Sequence, residues 1–429
     1  MSTTTKKQNV VPAIAVMFAL FFMIAFVTNF AGSMGVIVKN QFLGDSAGAK
    51  ALAQLGTLAN FIAYLCFGIP CGILLKRKGY KFTALTAVTV GFIGVGIQWI
   101  AGPAASFLVY VIGAFVAGIS MCLLNVVVNP LLNLLGGGGN KGNQLIQFGG
   151  SCNSVGGTIA PILLGYLIGG QAETASVKDA APAMIIAMAI FAVAFVIISL
   201  THIPEPHIET AEEKAARKAG KVAKDKYSPL SFRHFVLGAV AIFFYVGIEV
   251  GIPNTANVYF SGNPAVGPTI TGFMIGAYWF CMMLGRLAGG AVGAKLSSKK
   301  MLVGTAAIAI AFLIAFIFVP ADIKITLGEK IIPLQLVFIT LCGLCTSVMW
   351  GAIFNLAVEG LGKYTEAASG IFMTMVCGGG IIPFVQNLLA GVDKIGTVNS
   401  YWLIIACLLF LVFYAAAGCK NVNKDIPVE

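Results

Sequence analysis

The sequence predicts an all-α membrane protein: twelve transmembrane helices in two pseudo-symmetric six-helix bundles. Three observations carry this expectation. The chain of 429 residues is 58% hydrophobic and only 10% charged, whereas soluble domains carry about a quarter charged residues. Apolar stretches of about 20 residues, enough to cross a hydrocarbon core of ~30 Å as a helix, recur along its whole length. Short motifs in the first half are echoed at matching places in the second.

In order, the expected spans are 12–38, 50–75, 82–101, 106–135, 145–170, 183–201, 234–258, 268–294, 301–319, 332–358, 367–391 and 399–418. Helices are required because the period-2 alternation of a membrane barrel is absent. Span one follows a short basic head, but it is too long for a cleaved leader and has no small-residue cleavage site, so it is expected to stay. The segment GGGGNKGN (136–143) between spans four and five lacks the Gly-Lys-Ser/Thr ending of a phosphate loop and reads as a flexible turn. Residues 203–232 form the long polar segment between spans. They divide the chain into an N-terminal bundle (1–202), a cytoplasmic linker (203–232) and a C-terminal bundle with a cytoplasmic tail (233–429).

The net charge of +11 reports topology. With both termini inside, twenty of the 27 lysines and arginines fall on the cytoplasmic side, among them Lys76, Arg77, Lys78 and Lys81 after span two. Six fall on the opposite side, and Arg286 lies within a span. This asymmetry follows the positive-inside rule and removes the case for a nucleic-acid partner. The expected location is the cytoplasmic (inner) membrane, crossed many times, as a monomer. The ten cysteines lie almost entirely in spans, where they act as small packing residues. Cys342 and Cys345 form a CxxC without a partner pair, so no metal or redox centre is expected. His202, His207 and His234 border the linker, which argues against a histidine relay in the bilayer.

The echoes are specific. GGTIAP (156–161) in span five answers GGGIIP (378–383) in span eleven, and each sets a glycine cluster before a helix-bending proline, Pro161 or Pro383. NPLLNLLG in span four answers AIFNLAVEGLG in span ten, which places Asn355 among the site candidates. The basic turn GILLKRKGYK answers GAKLSSKK. Such repetition implies two related bundles about an axis normal to the membrane, with a cavity between them. Gly157 and Gly380 are expected to permit close helix approach there.

Polar residues inside the spans fall at helical spacing. Asn125, Asn129 and Asn133 follow one another at i, i+4, placing three amides along one face of span four. Gln147 and Ser151 share a face of span five, with Asn143 one turn earlier. Span seven offers Tyr245 and Glu249 one turn apart, then Asn254 and Asn257 toward the external end. Tyr278, Trp279 and Trp350 are the aromatic candidates. Amides, a carboxylate and aromatic faces suit a sugar, with its hydroxyls and its C–H surface. The same asparagines also serve as interhelical glue, and the aromatics as packing or interface anchors.

Glu249 is the acidic side chain deepest in any span. A carboxylate at a helix centre costs ~2.5–3.5 kcal/mol on insertion scales, so it should face a cavity and be paired or protonated. The sequence offers no basic residue at comparable depth. Glu249 is therefore expected to accept hydrogen bonds from sugar hydroxyls, or to bind a proton or help hold Na⁺. The competing reading is a protonated helix-to-helix contact. Arg286, in the GRLAGG turn on the cytoplasmic side, is expected to make a gating or structural contact with a helix end in preference to touching the sugar.

Taken together, GILLKRKGYK after Ile69-Pro70, NPLLNLLG, CNSVGGTIAPILLG, YVGIEV, LGRLAGG (284–290) and IFNLAVEGLGKYTEAASGIFMTMVCGGGIIP resemble the fucose/galactose/glucose permease branch of the major facilitator superfamily. The likeness covers nearly the whole chain. It implies the major facilitator fold and a monosaccharide symporter working by alternating access, with the sugar near the midplane. In the fucose permease type, a span-one aspartate and a span-four glutamate serve coupling and binding. Here Gly32 and Asn125 stand in their places, while Asn29, Asn129 and Pro130 match and Glu249 corresponds to a glutamate of the glucose/galactose type. The departures leave the familiar proton scheme without its two carboxylates. The function expected is secondary active uptake of a monosaccharide or related polar solute, coupled to H⁺ or Na⁺, with no other cofactor. An uncoupled facilitator, a carrier of a non-sugar solute and a non-transporting sensor stand as alternatives. No nucleophile–base pair or ligand cluster lies at depth, so an enzyme is not expected.

Overall fold

The computed structural model describes residues 10–38, 41–42, 55–167, 176–205, 226–261, 263, 266–327 and 330–428. Among these, ten helices are long and apolar enough to cross a membrane. They supply eleven spans, because Leu55–Ala101 contains two. The twelfth is Gly139–Leu167, made more polar by Asn140, Asn143, Gln144, Gln147 and Asn153. The twelve-helix architecture is therefore as expected. Span one is Val11–Val38, spans two and three share Leu55–Ala101, and four, five and six are Phe107–Leu135, Gly139–Leu167 and Ala181–Leu200. Seven, eight and nine are Arg233–Ser261, Gly267–Gly293 and Ser298–Phe318. Ten combines Leu334–Thr346 with Met349–Val358, eleven combines Thr365–Thr374 with Gly378–Ala390, and twelve is Gly396–Phe413. Between nine and ten lies a hairpin of two antiparallel strands, β1 (Lys324–Leu327) and β2 (Lys330–Pro333).

In the first six spans, one packs on five, while the two–three helix packs on four and six; in the last six, seven packs on ten, eleven and twelve, and nine on ten and twelve. Consecutive spans alternate in direction, so the turn after span two, the start of span nine and the C-terminal segment share one end, here called the basic end. Cross-links at this end fix the arrangement: Lys299 Nζ donates to the Ala416 carbonyl at 3.0 Å and the Arg233 N–H to Asn423 Oδ1 at 3.0 Å.

The turn between spans two and three shows why its residues are what they are. Gly79 has φ +81° and ψ 177°, a region open essentially to glycine. That kink ends one helix and starts another at Tyr80. The exposed amides of the new helix, Tyr80 N–H and Lys81 N–H, donate to the Glu205 carboxylate at 2.6 and 2.7 Å. An anion at a helix N-terminus is favoured by the macrodipole. Reciprocally, Lys81 Nζ donates to the Ser199 and Thr201 carbonyls at the end of span six, at 2.7 and 2.9 Å.

Prolines inside spans free the carbonyl four residues earlier, and the packing supplies replacement donors. Pro130 frees the Val126 carbonyl, which accepts from Ser369 Oγ of span eleven at 3.4 Å. Pro253 frees the Glu249 carbonyl, which accepts from the Tyr278 hydroxyl at 3.2 Å. The first of these joins the two six-span groups. So do the close approaches of Gly72 to Gly370 and of Gly68 to Thr374, on the basic side of spans two and eleven. The two groups are thus pressed together between the midplane and the basic end. Ser369→Ala leaves the buried Val126 carbonyl without its partner, at ~1–3 kcal/mol. Spin labels on Lys78 and Lys299 should then show a broader, longer distance distribution than in the wild type.

The glycines of the two glycine–proline motifs sit at contacts between spans. Gly156 lies against the Phe22 backbone and Gly157 against the Asn29 side chain, seating span five on span one. Gly378 lies against the Phe243 backbone, while Gly379 and Gly380 meet Phe61 of span two. Pro161 and Pro383 each sit within helix, at the far end of their motif.

Candidate functional site

Midway along span seven, Glu249 Oε1 lies 3.0 Å from Arg286 Nη2 of span eight. The two side chains are 15% and 8% exposed. This overturns two expectations: a basic residue does lie at the depth of Glu249, and Arg286 is not confined to a turn on the cytoplasmic side. Span eight continues to Gly293, seven residues and about 10 Å beyond Arg286 at 1.5 Å per residue. The run Arg-Leu-Ala-Gly-Gly is therefore helix interior, and the guanidinium is held well within the bundle.

Arg286 also joins the two six-span groups. Its Nη1 donates to the Gly150 carbonyl at 3.0 Å, to Ser154 Oγ at 2.9 Å and to Asn153 Oδ1 at 3.3 Å, all on span five. Its Nε donates to the Ser347 carbonyl at 3.3 Å. Ser347 and Val348 fall in the break between the two helices of span ten, where backbone groups lose intrahelical partners. Gln147 Nε2 takes the Val348 carbonyl at 2.8 Å, again from the other group. Inside a membrane such a break is tolerated where protein groups satisfy it, and here one guanidinium and one amide do so.

Above the pair, toward the end opposite the basic one, span eight presents Gly272, Gly276, Trp279 and Met283 at helical spacing on the side that leads to Arg286. A Cβ added at Gly272 or Gly276 would meet nothing within 4 Å. On the basic side, Gln144 Nε2 donates to the Gly290 carbonyl at 2.9 Å and Phe148 packs on Gly290. The interface is shut below the ion pair, with open space over span eight above it.

A second cluster adjoins the first. The Tyr245 hydroxyl, one turn before Glu249, is fully buried and stands beside both charged groups, close enough to interact with each. Its ring meets Trp350 edge-on at 6.2 Å, and Trp350 meets Phe372 at 6.1 Å. Trp350 Nε1 donates to Asn129 Oδ1 at 2.8 Å, a further contact between the groups. Asn129 in turn donates to Asn125, whose amide donates to the Tyr64 hydroxyl at 2.8 Å. Asn125 and Asn129 thus have partners already and form one chain running to Trp350, whereas the buried Oδ1 of Asn133 has no partner among the described residues.

The structure brings Asn125, Asn129, Gln147, Tyr245, Glu249, Tyr278, Trp350 and Arg286 into one connected network. Trp279 stands against Tyr278 at 5.3 Å on its edge, and Asn29 donates to its own Ala25 carbonyl at 2.9 Å beside Gly157. Asn254 is exposed, five residues beyond Glu249 on the way to the opposite end. Asn355 is not part of the network: it lies near the basic end, donating to Ser298 Oγ at 3.0 Å at the start of span nine. Asn153, Ser154 and the Ser347 carbonyl were missed. The stripe Asn143, Gln147, Gly150, Ser154 and Gly157, at i, i+4, i+7, i+11 and i+14, would have pointed to Ser154. Nothing in an apolar span announces a free carbonyl.

Twelve spans in two packed groups, joined at mid-depth by the bonds of Arg286 to span five, define a polytopic membrane protein. The family model of the Major Facilitator Superfamily matches residues 16–383, and the chain belongs to that superfamily. It is 30% identical over 424 residues to a protein named glucose/galactose transporter from Brucella abortus biovar 1 (strain 9-941), covering 97% of each chain. It is 24% identical over 426 residues to the L-fucose-proton symporter of Escherichia coli (strain K12), covering 93% of this chain and 92% of the relative. Among solved structures, it superposes on the Major Facilitator Superfamily transporter FucP in its outward conformation with a TM-score of 0.76. The identity there is 19%, over 95% of this chain and 99% of that one. The proton:xylose symporter XylE gives 0.75 at 13% identity, over 97% of each.

Proposed function

We propose that this protein is a secondary transporter that takes up a monosaccharide by alternating access, coupled to protons through Glu249. The single observation that carries the reading is the Glu249–Arg286 pair of spans seven and eight, from which Arg286 reaches across to span five of the other group at mid-depth, beside the buried Tyr245 hydroxyl. Glu249, Arg286 and the Tyr245 hydroxyl together offer acceptors and donors for the hydroxyls of a sugar, and the Tyr245 and Trp350 rings supply an apolar surface for its C–H face. The sequence relationship to the glucose/galactose transporter, nearly end to end, supports the same class of substrate.

The pair also bears on coupling. A proton on Glu249 removes the charge that compensates Arg286, leaving the guanidinium to the neutral acceptors of span five and Ser347. That alters the free energy of the contact between the groups, and only such a difference between states lets a ligand or proton drive the cycle. Na⁺ fits poorly, because it would need several oxygen ligands around a carboxylate already facing a cation at 3.0 Å. In this reading 1–202 and 233–429 are the moving bodies and 203–232 their tether, of which 206–225 lie outside the described residues. The basic end faces the cytoplasm, the protein sits in the inner membrane as a monomer, and the conformation is the one closed to the cytoplasm. Counterflow with radiolabelled glucose, galactose and fucose in proteoliposomes should show exchange of at least one, and Trp350→Ala should weaken it tenfold or more. No exchange of any monosaccharide would reject the reading.

A further inference from the structure

Spans one and six meet only lightly along a groove that shares no residue with the polar network around Glu249 and Arg286. Its volume is about 360 Å³, and its lining runs Val16, Ala19, Leu20 and Met23 on span one and Ile186 to Ile198 on span six. The lining is almost wholly apolar. Ala19 and Ala189 form gaps in it, being small and exposed. Along span six the stretch rises about 18 Å at 1.5 Å per residue, close to the ~15 Å of one leaflet of hydrocarbon. The groove begins at the basic end, where span six terminates at Leu200.

The mouth carries charge. Lys81 Nζ donates to the Ser199 and Thr201 carbonyls at 2.7 and 2.9 Å, just beyond the last lining residues. An ammonium has three donors, so one remains for an incoming acceptor. Exposed Lys76, Arg77 and Lys78 stand on the same turn. A leaflet-length apolar slot ending at an incompletely used ammonium in a basic cluster complements a lipid with one acyl chain inward and a negative phosphate at the interface. We propose that this groove is a binding site for an anionic phospholipid of the leaflet at the basic end, its acyl chain lying between spans one and six and its phosphate on Lys81. The lipid would fill the gap that small side chains leave and hold span one against span six.

The test is native mass spectrometry of the full chain released from nanodiscs of equimolar phosphatidylglycerol and phosphatidylcholine. The wild type should retain one phosphatidylglycerol. Ala19→Leu with Ala189→Leu, which fills the slot from its exposed side, should lower that adduct at least tenfold. Lys81→Gln should bring the two lipids to equal retention, and because Lys81 also caps span six, unchanged Tm in the Ala19→Leu/Ala189→Leu protein provides the fold-independent arm. An adduct indifferent to the filled slot, retention of both lipids alike by the wild type, or a dimer in place of a lipid adduct would each overturn the proposal.

Discussion

Replacing Glu249 with glutamine should abolish concentrative uptake while leaving exchange in place. A single charge moving through a 100 mV potential supplies ~2.3 kcal/mol, which is about a 50-fold accumulation ratio at 1.4 kcal/mol per tenfold. In proteoliposomes with an imposed proton gradient and potential, the wild type should approach that ratio, and Glu249→Gln should fall to about 1. Counterflow should persist in the variant, because the amide still hydrogen-bonds to sugar hydroxyls and to Arg286. Accumulation that still follows the gradient in Glu249→Gln would remove this residue from coupling. Accumulation driven by Na⁺ alone in the wild type would remove the proton.

The second large effect is expected at Arg286. Arg286→Met strips one partner from a buried pair, a change that costs ~3–5 kcal/mol because the other charge is left uncompensated. It also frees the Gly150 and Ser347 carbonyls and the Ser154 hydroxyl, which Arg286 now satisfies. The variant should be thermally destabilised in detergent and should not transport. Glu249→Gln combined with Arg286→Met should recover part of that loss, since the stranded carboxylate is gone. The recovered part measures the coupling between the two side chains. Equal destabilisation of the single and double variants would mean that the ion pair contributes nothing beyond the separate contacts of Arg286.

Arg286→Lys separates charge from shape. A lysine keeps the cation but offers a point charge in place of a planar fork, and Arg286 engages five acceptors on three spans. Loss of transport in Arg286→Lys with a smaller loss of Tm than in Arg286→Met is the result expected if the fork, and not the charge alone, joins the two groups.

Much of this was legible in the chain. Hydropathy and the placement of lysine and arginine define spans because hydrocarbon admits little else, and each span is a local property of some twenty residues. Glu249 stood out for the same reason: one carboxylate in an apolar run is expensive wherever the run ends up. Asn125 and Asn129 were found by spacing as well as by the resemblance, and their side chains are hydrogen-bonded along one face. Arg286 was visible, and it does contact a helix end at Ser347, but its depth and its place in a turn were misread. Its neighbours Gly289 and Gly290 look like a turn, and only their packing on Val348 and Phe148 shows that they keep the helix close to its neighbours. Asn355 matched a repeat in the sequence yet lies near the basic end, because similarity between halves fixes a place on a helix and not the depth at which a cavity opens.

The sequence by itself therefore determined that this is a twelve-span membrane protein, that its two halves are related, and that a buried carboxylate must find company. Tertiary structure alone decided what that company is. Glu249 and Arg286 are 37 residues apart on adjacent spans, and Arg286 reaches Gly150 across 136 residues. No local pattern encodes such distances; they arise when helices pack within a group and the two groups close on each other, and polar groups from five, seven, eight and ten must satisfy one another because the membrane offers no water.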